Sequence, residues 1–297
     1  MSNIDFGLII RPTPYDLSAK DLLNYNWQCI QALPPSFTTL WVEDHFQWGE
    51  SATLEAMTTL SFLAAKFPNF RLGTLVLNQS HYNPAQLAKM AANLQFLSEG
   101  RLILGLGAGW KEDENYAYGY PFPDARTRLE QLEEALLLIR SMWTLKPANF
   151  RGKYYRIQDA YCEPQPLPPI PLLIGGGGEQ RTLSLTARYA DWWNFNSCSI
   201  ETYSHKVSVL KGYCNSIGRD PAEIRLTFSS VVSVTEDPTR IIQHPYYPKK
   251  RFIIGNTTEV IRELEHFCDI GVTHFMLKFP DLTTLEYFVA KVAPHFI

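Results

Sequence analysis

Short apolar runs alternate with longer amphipathic stretches eight times along this chain of 297 residues. The apolar runs predict strands at residues 6–10, 39–43, 71–77, 102–106, 171–174, 192–195, 224–234 and 273–278. The amphipathic stretches predict helices at residues 18–33, 53–66, 84–97, 126–143, 179–190, 200–217, 257–270 and 283–292. Eight strand–helix units in this length predict an α/β fold, a (β/α)8 TIM barrel with loop insertions, as a single domain over residues 1–297.

A doubly wound open sheet is the alternative fold. It needs fewer strands and a glycine-rich turn after the first strand, whereas Arg11 and Pro12 follow the first predicted strand here. Residues 147–171, which are rich in proline and aromatic residues, form either a domain linker or an excursion between two units. The alternation resumes directly after them, which favours the excursion. Residues 111–123 and 238–252 are predicted as further long loops.

The net charge is −3, and the sequence has no long run of charges of either sign. Neither feature indicates a nucleic-acid or membrane partner. The closest group of like charges, Glu130, Glu133 and Glu134, is predicted to form a solvated helix face. No apolar run approaches the roughly 20 residues that cross a bilayer, and the first residues lack the pattern of a signal peptide. The spacing of the five cysteines and seven histidines predicts neither a disulfide framework nor a metal site. We therefore expect a cytoplasmic protein that acts on a small molecule.

The fourth predicted strand runs directly into three glycines, Gly105, Gly107 and Gly109. The absence of side chains there allows either a flat or charged ligand or a neighbouring element of the protein to approach the backbone closely. The spacing differs from the dinucleotide fingerprint G-x-G-x-x-G and lies in the middle of the chain. The glycines therefore do not predict a Rossmann turn.

The carboxyl ends of the strands carry the active site in a TIM barrel, so the residues that follow each strand are candidates for function. The second strand ends at Asp44 and His45, which are either functional residues or a helix cap and a core histidine. The fifth strand ends in four glycines, residues 175–178, before a predicted helix. Such a segment is either a phosphate cradle or a flexible turn, and four consecutive glycines favour the cradle.

These strand ends, in their order along the chain, resemble the bacterial-luciferase-like superfamily of flavin- and deazaflavin-dependent oxidoreductases. The segments that carry the resemblance are residues 40–46, 83–92, 97–102, 105–110, 118–120, 170–179 and 187–191. Together they extend over almost the whole chain. They are most similar to the enzymes of the superfamily that use coenzyme F420.

The resemblance implies an oxidoreductase that transfers a hydride between F420 and an organic small-molecule substrate, with FMN as the alternative cofactor. It implies a non-prolyl cis peptide bond at Leu75–Val76, against which the ring of the cofactor lies in the barrel mouth. The residues that the resemblance assigns to the cofactor are Asp44, His45, Leu75, Val76, Asn78, Gly107, Ala108, Gly176, Gly177 and Gly178. Trp110 and Tyr116 are expected on the substrate side, and a homodimer is expected through the early helices.

Asp44 and His45 match an aspartate–histidine pair near the ring, and they are the residues that we expect to act in catalysis. In the branch that oxidises sugar phosphates, the histidine is a base for the substrate hydroxyl and a glutamate follows the glycines of the fourth strand. This chain has Trp110 in that position, and Glu112 and Glu114 lie nearby without being equivalent. The difference argues against sugar-phosphate oxidation and predicts that Trp110 forms a wall of the substrate pocket.

Three other functions are compatible with the same residues. An FMN-dependent monooxygenase of this fold would use oxygen as a co-substrate. A relative without catalytic activity would only bind flavin. A TIM barrel unrelated to the luciferases, acting on a phosphorylated substrate, predicts a trans peptide bond between Leu75 and Val76.

Overall fold

The structure of the protein is a computed structural model, and it describes residues 4–13, 18–237, 239 and 252–296. The strands in chain order are β1 (Asp5–Ile10), β2 (Phe37–Val42), β3 (Arg71–Thr74), β4 (Leu77–Asn78), β5 (Leu102–Gly107), β6 (Ala148–Arg151), β7 (Arg156–Ala160), β8 (Leu172–Gly175), β9 (Trp192–Asn196), β10 (Arg225–Val234), β11 (Ile253–Gly255) and β12 (Val272–Lys278). The α-helices in chain order are α1 (Ala19–Gln31), α2 (Ala56–Lys66), α3 (Pro84–Leu97), α4 (Glu112–Ala117), α5 (Ala125–Thr144), α6 (Thr182–Tyr189), α7 (Ile200–Ser216), α8 (Thr257–Ile270) and α9 (Leu282–Lys291).

Eight of the described strands pair in parallel around a closed ring, in the order β1, β2, β3, β5, β8, β9, β10 and β12. The ring closes because β12 pairs back with β1. The short strand β4 continues β3 along β5, and β11 pairs with the last residues of β10. The predicted TIM barrel is confirmed. None of the described helices has the length and apolar character needed to cross a membrane.

A layer of large side chains fills the inside of the barrel below its carboxyl end. Trp41 lies in this layer together with Trp192, and its indole nitrogen donates a hydrogen bond to Nε2 of His274 at 3.0 Å. A Cβ at Gly7 or Gly73 would collide with the Trp41 ring, so both positions require glycine. Burial lowers the pKa of His274. The layer is therefore a packed floor beneath the barrel mouth.

Three predicted elements near the mouth differ from the structure. The strand predicted at 71–77 is interrupted after Thr74, whose hydroxyl both accepts from the backbone N–H of Gly105 and donates to its carbonyl, at 2.8 Å each. Residues 111–123 were predicted as a loop but contain α4, whose acidic first turn suits the positive end of a helix. The helix predicted from residue 179 begins at Thr182. The carbonyl of Gly178 accepts from the backbone N–H of Leu183, five residues later, rather than following the four-residue spacing of an α-helix.

The excursion predicted at residues 147–171 contains the antiparallel pair β6–β7, which packs beside α5. The carboxylate of Glu134 fixes the turn of this hairpin by accepting from the backbone N–H groups of Lys153, Tyr154 and Tyr155. The strand β11 was not predicted, since three residues are too short for a periodic pattern. The loop predicted at 238–252 lies mostly outside the described residues.

Candidate active site

The glycines of β5 accommodate the segment between β3 and β4. A Cβ at Gly105 would collide with the Thr74 carbonyl, and one at Gly107 would lie 2.8 Å from Cγ2 of Val76. The Leu75–Val76 peptide bond is cis, as predicted. Val76 also contacts the start of the glycine segment after β8, because a Cβ at Gly175 would lie 2.9 Å from its methyl groups. Val76 therefore contacts both glycine segments at the barrel mouth. The sequence did not reveal that the β5 glycines leave room for this side chain.

Asp44 lies at the centre of a buried polar cluster beside this segment. Its carboxylate accepts from the backbone N–H of Asn78 at 2.7 Å and from the hydroxyl of Tyr82 at 3.1 Å. The Asn78 side-chain oxygen accepts from Ser80, so its NH2 group is the donor to Nε2 of His81 at 2.9 Å. The proton of a neutral His81 is then on Nδ1, which faces the Asp44 carboxylate at 3.7 Å. Asp44 thus fixes the backbone that follows the cis peptide bond.

His45 points in a different direction and pairs with a carboxylate from α4. Its Nδ1 lies 3.0 Å from Oε2 of Glu114, whose side chain is 2 % exposed. The other carboxylate oxygen accepts from the backbone N–H groups of Phe46 and Gln47. Burial raises the pKa of Glu114, but the hydrogen bonds from His45 and from these N–H groups outweigh it, and the pKa lies below its ordinary value.

An ionised Glu114 orients the His45 ring. The carboxylate has no proton to donate, so Nδ1 of His45 is the donor, and a neutral ring then has its lone pair on Nε2. No protein group binds this Nε2 in the described part of the chain. A histidine held by a carboxylate on one nitrogen and unpaired on the other is the usual arrangement of a general base.

Aromatic side chains surround the exposed edge of His45. The Trp48 ring lies 5.2 Å and the Trp110 ring 5.8 Å from the imidazole, both in edge-to-face contact. Trp110 is 66 % exposed and so presents apolar surface next to His45. Tyr116, also predicted on the substrate side, is 60 % exposed on α4. The charge of Lys111 beside Trp48 is compensated by Asp113 at 2.5 Å.

Two of the three glycines after β8, Gly177 and Gly178, lie too close to neighbouring side chains to accept a Cβ, and Gly176 has a positive φ. Gly176 has a φ of +116°, and its N–H and carbonyl bind Asn194 and the Trp193 indole respectively. A Cβ at Gly177 would lie 2.7 Å from the Phe195 ring. The N–H groups of Gly177 and Gly178 bind no protein acceptor within the described residues. These two N–H groups fit an anion such as a phosphate, whereas the N–H of Gly176 is already used.

The structure brings most of the predicted site residues to one end of the barrel. Asp44 binds Asn78, Val76 contacts both glycine segments, and the Ala108 carbonyl is held by Arg128 at 3.1 Å. The prediction did not assign Glu114, His81 or Trp48. Glu114 is not at the sequence position of the family's glutamate, which Trp110 occupies, but α4 brings its carboxylate to His45. His81 and Trp48 follow predicted strands, but no sequence pattern marks either residue as part of the site.

The chain is similar in sequence to known proteins over most of its length. A family model described as luciferase-like monooxygenase matches residues 31–266. An F420-dependent glucose-6-phosphate dehydrogenase of Kineococcus radiotolerans is 29% identical in an alignment of 306 positions, gaps included, that covers 89% of this chain and 90% of that protein. A protein of the same name from Gordonia bronchialis is 36% identical in an alignment of 240 positions that covers 74% of this chain and 69% of that protein.

Solved structures show the same fold. An F420-dependent secondary alcohol dehydrogenase, solved in complex with an F420–acetone adduct, superposes with a TM-score of 0.85 at 21% identity over 99% of each chain. Because the family model matches more than half of its residues, the chain belongs to the luciferase-like monooxygenase family.

Proposed function

We propose that the protein is an oxidoreductase that transfers a hydride between coenzyme F420 and an organic small-molecule substrate. The observation that carries the proposal is the pairing of His45 with Glu114 beside the bulged segment at Val76. The names of the two relatives support F420 rather than FMN as the cofactor. Asp44, Asn78, Leu75 and Val76 would line the ring, and Gly177 and Gly178 would bind the phosphate.

Each side chain has a distinct task in this mechanism. When bound, F420 supplies or accepts the hydride. Nε2 of His45 takes the proton of a substrate hydroxyl as the C–H bond breaks, and returns it in the reverse direction. The carboxylate of Glu114 stabilises the imidazolium that forms. Trp48 and Trp110 shield the reacting atoms from water.

The substrate that we propose is an uncharged alcohol or carbonyl compound rather than a sugar phosphate. The wall next to His45 is an indole, Trp110, and the nearest described lysines at the mouth are paired. Lys111 binds Asp113 at 2.5 Å, and Lys278 binds Glu43 at 2.6 Å. A phosphate would have to displace one of these carboxylates, whereas an apolar substituent would pack on Trp110 directly.

Cofactor binding tests the proposal most directly. The protein, freed of bound cofactor, is titrated with F420 and separately with FMN, and binding is followed by the quenching of each cofactor's fluorescence. Tight binding of F420, followed by its reduction on addition of an alcohol, is the expected result. Preferential binding of FMN with oxygen consumption would favour a monooxygenase, and binding without reduction by any of a panel of alcohols and glucose 6-phosphate would favour a non-catalytic protein.

We propose further that the protein is a homodimer in the cytoplasm. Apolar side chains on α2 and α3 are exposed: Phe62 by 54 %, Phe96 by 63 % and Leu97 by 76 %. Such a group of exposed apolar residues is typical of an interface. All five cysteines are free thiols, in keeping with a reducing compartment. Light scattering of the wild-type protein and of Leu97→Glu tests the dimer, and a monomeric wild-type protein would contradict it.

A further inference from the structure

An ion pair between Glu43 and Lys278 lies inside the barrel mouth, above the packed floor. Trp41 of β2 and Met276 of β12 belong to the floor, and side chains two residues apart along a strand point to the same face. Glu43 follows Trp41 by two residues, and Lys278 follows Met276 by two, so both side chains point into the mouth. Nζ of Lys278 lies 2.6 Å from Oε2 of Glu43. The pair therefore crosses the end of β1, which lies between β2 and β12.

Part of the hydrogen-bonding capacity of this pair is open. An ammonium group has three N–H donors, and a carboxylate has two acceptor oxygens. Among the residues that the structure describes, Nζ of Lys278 has no acceptor besides Oε2 of Glu43, and Oε1 of Glu43 has no donor. The Lys278 side chain is 17 % exposed and the Glu43 side chain 30 %. Two N–H donors and one carboxylate oxygen can therefore bind a ligand in the mouth.

These open atoms fit a neutral hydroxyl group better than an ion. The charges of the carboxylate and the ammonium group balance, so neither a cation nor an anion gains a net attraction from the pair. A hydroxyl group can accept from Lys278 and donate to Oε1 of Glu43 at the same time. Hydrogen bonds to charged groups are also stronger than those between neutral groups. An apolar group in the same place would remove water from both charges without replacing its hydrogen bonds.

The same strand end carries His45, the base of the proposed function. His45 follows Glu43 by two residues, so their Cα atoms are no more than about 7 Å apart. The side chain of Asp44, between them, turns instead to the buried cluster with Asn78 and Tyr82. One small molecule can therefore contact His45 through one hydroxyl group and the Glu43–Lys278 pair through another.

We propose that Glu43 and Lys278 bind a second hydroxyl group of the substrate and so hold its reacting hydroxyl group at Nε2 of His45. The substrate class is then a neutral diol, or the hydroxy-carbonyl compound formed by its oxidation, rather than a simple alcohol. Neither residue exchanges a proton or a hydride, so the pair determines specificity. The inference rests on the proposed function and names the substrate class of that same site.

The test compares cyclohexanol with the 1,2-, 1,3- and 1,4-cyclohexanediols, which place a second hydroxyl group at increasing distance from the first. KM and kcat for the reduction of F420 are measured together with the affinity for F420. The apolar variant is Glu43→Leu with Lys278→Met, because apolar side chains of similar volume commonly replace an ion pair without loss of stability. The control is Glu163→Leu with Lys146→Met, which removes an ion pair of 2.5 Å directly after α5 and outside the barrel. A second variant, Glu43→Gln, keeps the shape of the side chain and removes only its charge.

The wild-type protein and the control should have a lower KM for at least one diol than for cyclohexanol. The apolar variant should raise the KM for that diol by about ten- to a hundredfold, the range expected for lost hydrogen bonds to charged groups. Its KM for cyclohexanol and its affinity for F420 should stay unchanged. Glu43→Gln should raise the KM for the diol less, because its amide oxygen still accepts a hydrogen bond.

The outcomes separate this inference from the proposed function. Equal KM values of the wild-type protein for cyclohexanol and every diol would overturn the inference alone, as would an unchanged diol preference in Glu43→Gln. A folded apolar variant with weakened F420 binding would also overturn it, because the pair would then contact the cofactor. Circular dichroism establishes whether each variant is folded. Failure of the wild-type protein to bind F420, or to reduce it with any of the four compounds, would count against the proposed function as well as the inference.

Discussion

Asp44 and His45 are neighbours in the sequence, but their side chains have opposite surroundings. The Asp44 carboxylate is enclosed, and it accepts hydrogen bonds from Asn78 and Tyr82 with His81 beside it. The His45 ring is held only through Nδ1, by Glu114, and lies at the edge of the mouth. A group with all its partners supplied by the protein maintains structure, whereas a group with one unpaired atom is ready for a ligand. We therefore expect Asp44 to order the cofactor side of the site and His45 to exchange protons with the substrate.

Replacing His45 should give the largest effect on catalysis. His45→Gln keeps the size and polarity of the side chain but removes the base, so the rate of F420 reduction by a saturating alcohol should fall by about 10²–10⁴-fold. The free energy of unfolding and the affinity for F420 should change little, because the glutamine NH2 group can donate to Glu114 in place of Nδ1 and Nε2 has no protein partner among the described residues. Single-turnover kinetics and urea unfolding measure the two quantities. A variant that retains most of the wild-type rate would contradict the assignment of the base.

Glu114→Gln should reduce the rate less, by about 10- to 100-fold. A neutral amide still contacts Nδ1 of His45 but no longer stabilises the imidazolium, and a hydrogen bond to a charged group contributes about 1.5–3 kcal/mol. The matched control is Glu112→Gln, at the start of the same helix. Equal rate losses in the two variants would indicate an effect of helix stability instead.

The pH dependence of stability provides a second measure of Glu114. Its folded-state pKa lies below the ordinary glutamate value of 4.5 expected for the unfolded chain, so its ionised form stabilises the folded state. This contribution should be complete above about pH 4.5 and be lost as the pH falls through the lower, folded-state pKa. The difference in unfolding free energy between the wild-type protein and Glu114→Gln should follow the same course. A difference in unfolding free energy that persists unchanged in acid would contradict this stabilising role of the ionised Glu114 carboxylate.

Asp44→Asn should show the reverse of the His45 variant, with a loss of stability as its main effect. The amide oxygen can still accept from Asn78 beside His81, but the NH2 group then replaces the oxygen that accepts from the Tyr82 hydroxyl. Leaving buried polar groups unsatisfied costs about 1–3 kcal/mol. Urea unfolding of Asp44→Asn and His45→Gln, measured side by side, makes the comparison. Equal stability of the two variants would remove the distinction between the neighbouring residues.

The sequence predicted the barrel because its signal is repeated eight times, and errors at single elements do not change the pattern. It also predicted the residues at the strand ends, since their position follows from the topology. It did not predict that Glu114 contacts His45, because the six residues of α4 are too few for an apolar period. The sequence also did not show which residue packs against the β5 glycines. Val76 contacts Gly107 from another strand, and no local sequence pattern encodes such a contact.

The smallest effect on turnover is expected where the segment ordered by Asp44 packs against β5. Gly107→Ala would place a methyl group 2.8 Å from Cγ2 of Val76 and should destabilise the protein by about 1–3 kcal/mol. Val76→Ala removes the opposing methyl groups, so the double variant should lose less stability than the sum of the two single variants. Urea unfolding of all three variants measures this coupling, and additive losses would show that the two side chains do not compete for space. The pH profile of turnover should be unaltered in the double variant, because the His45–Glu114 pair shares no hydrogen bond with Val76 or Gly107.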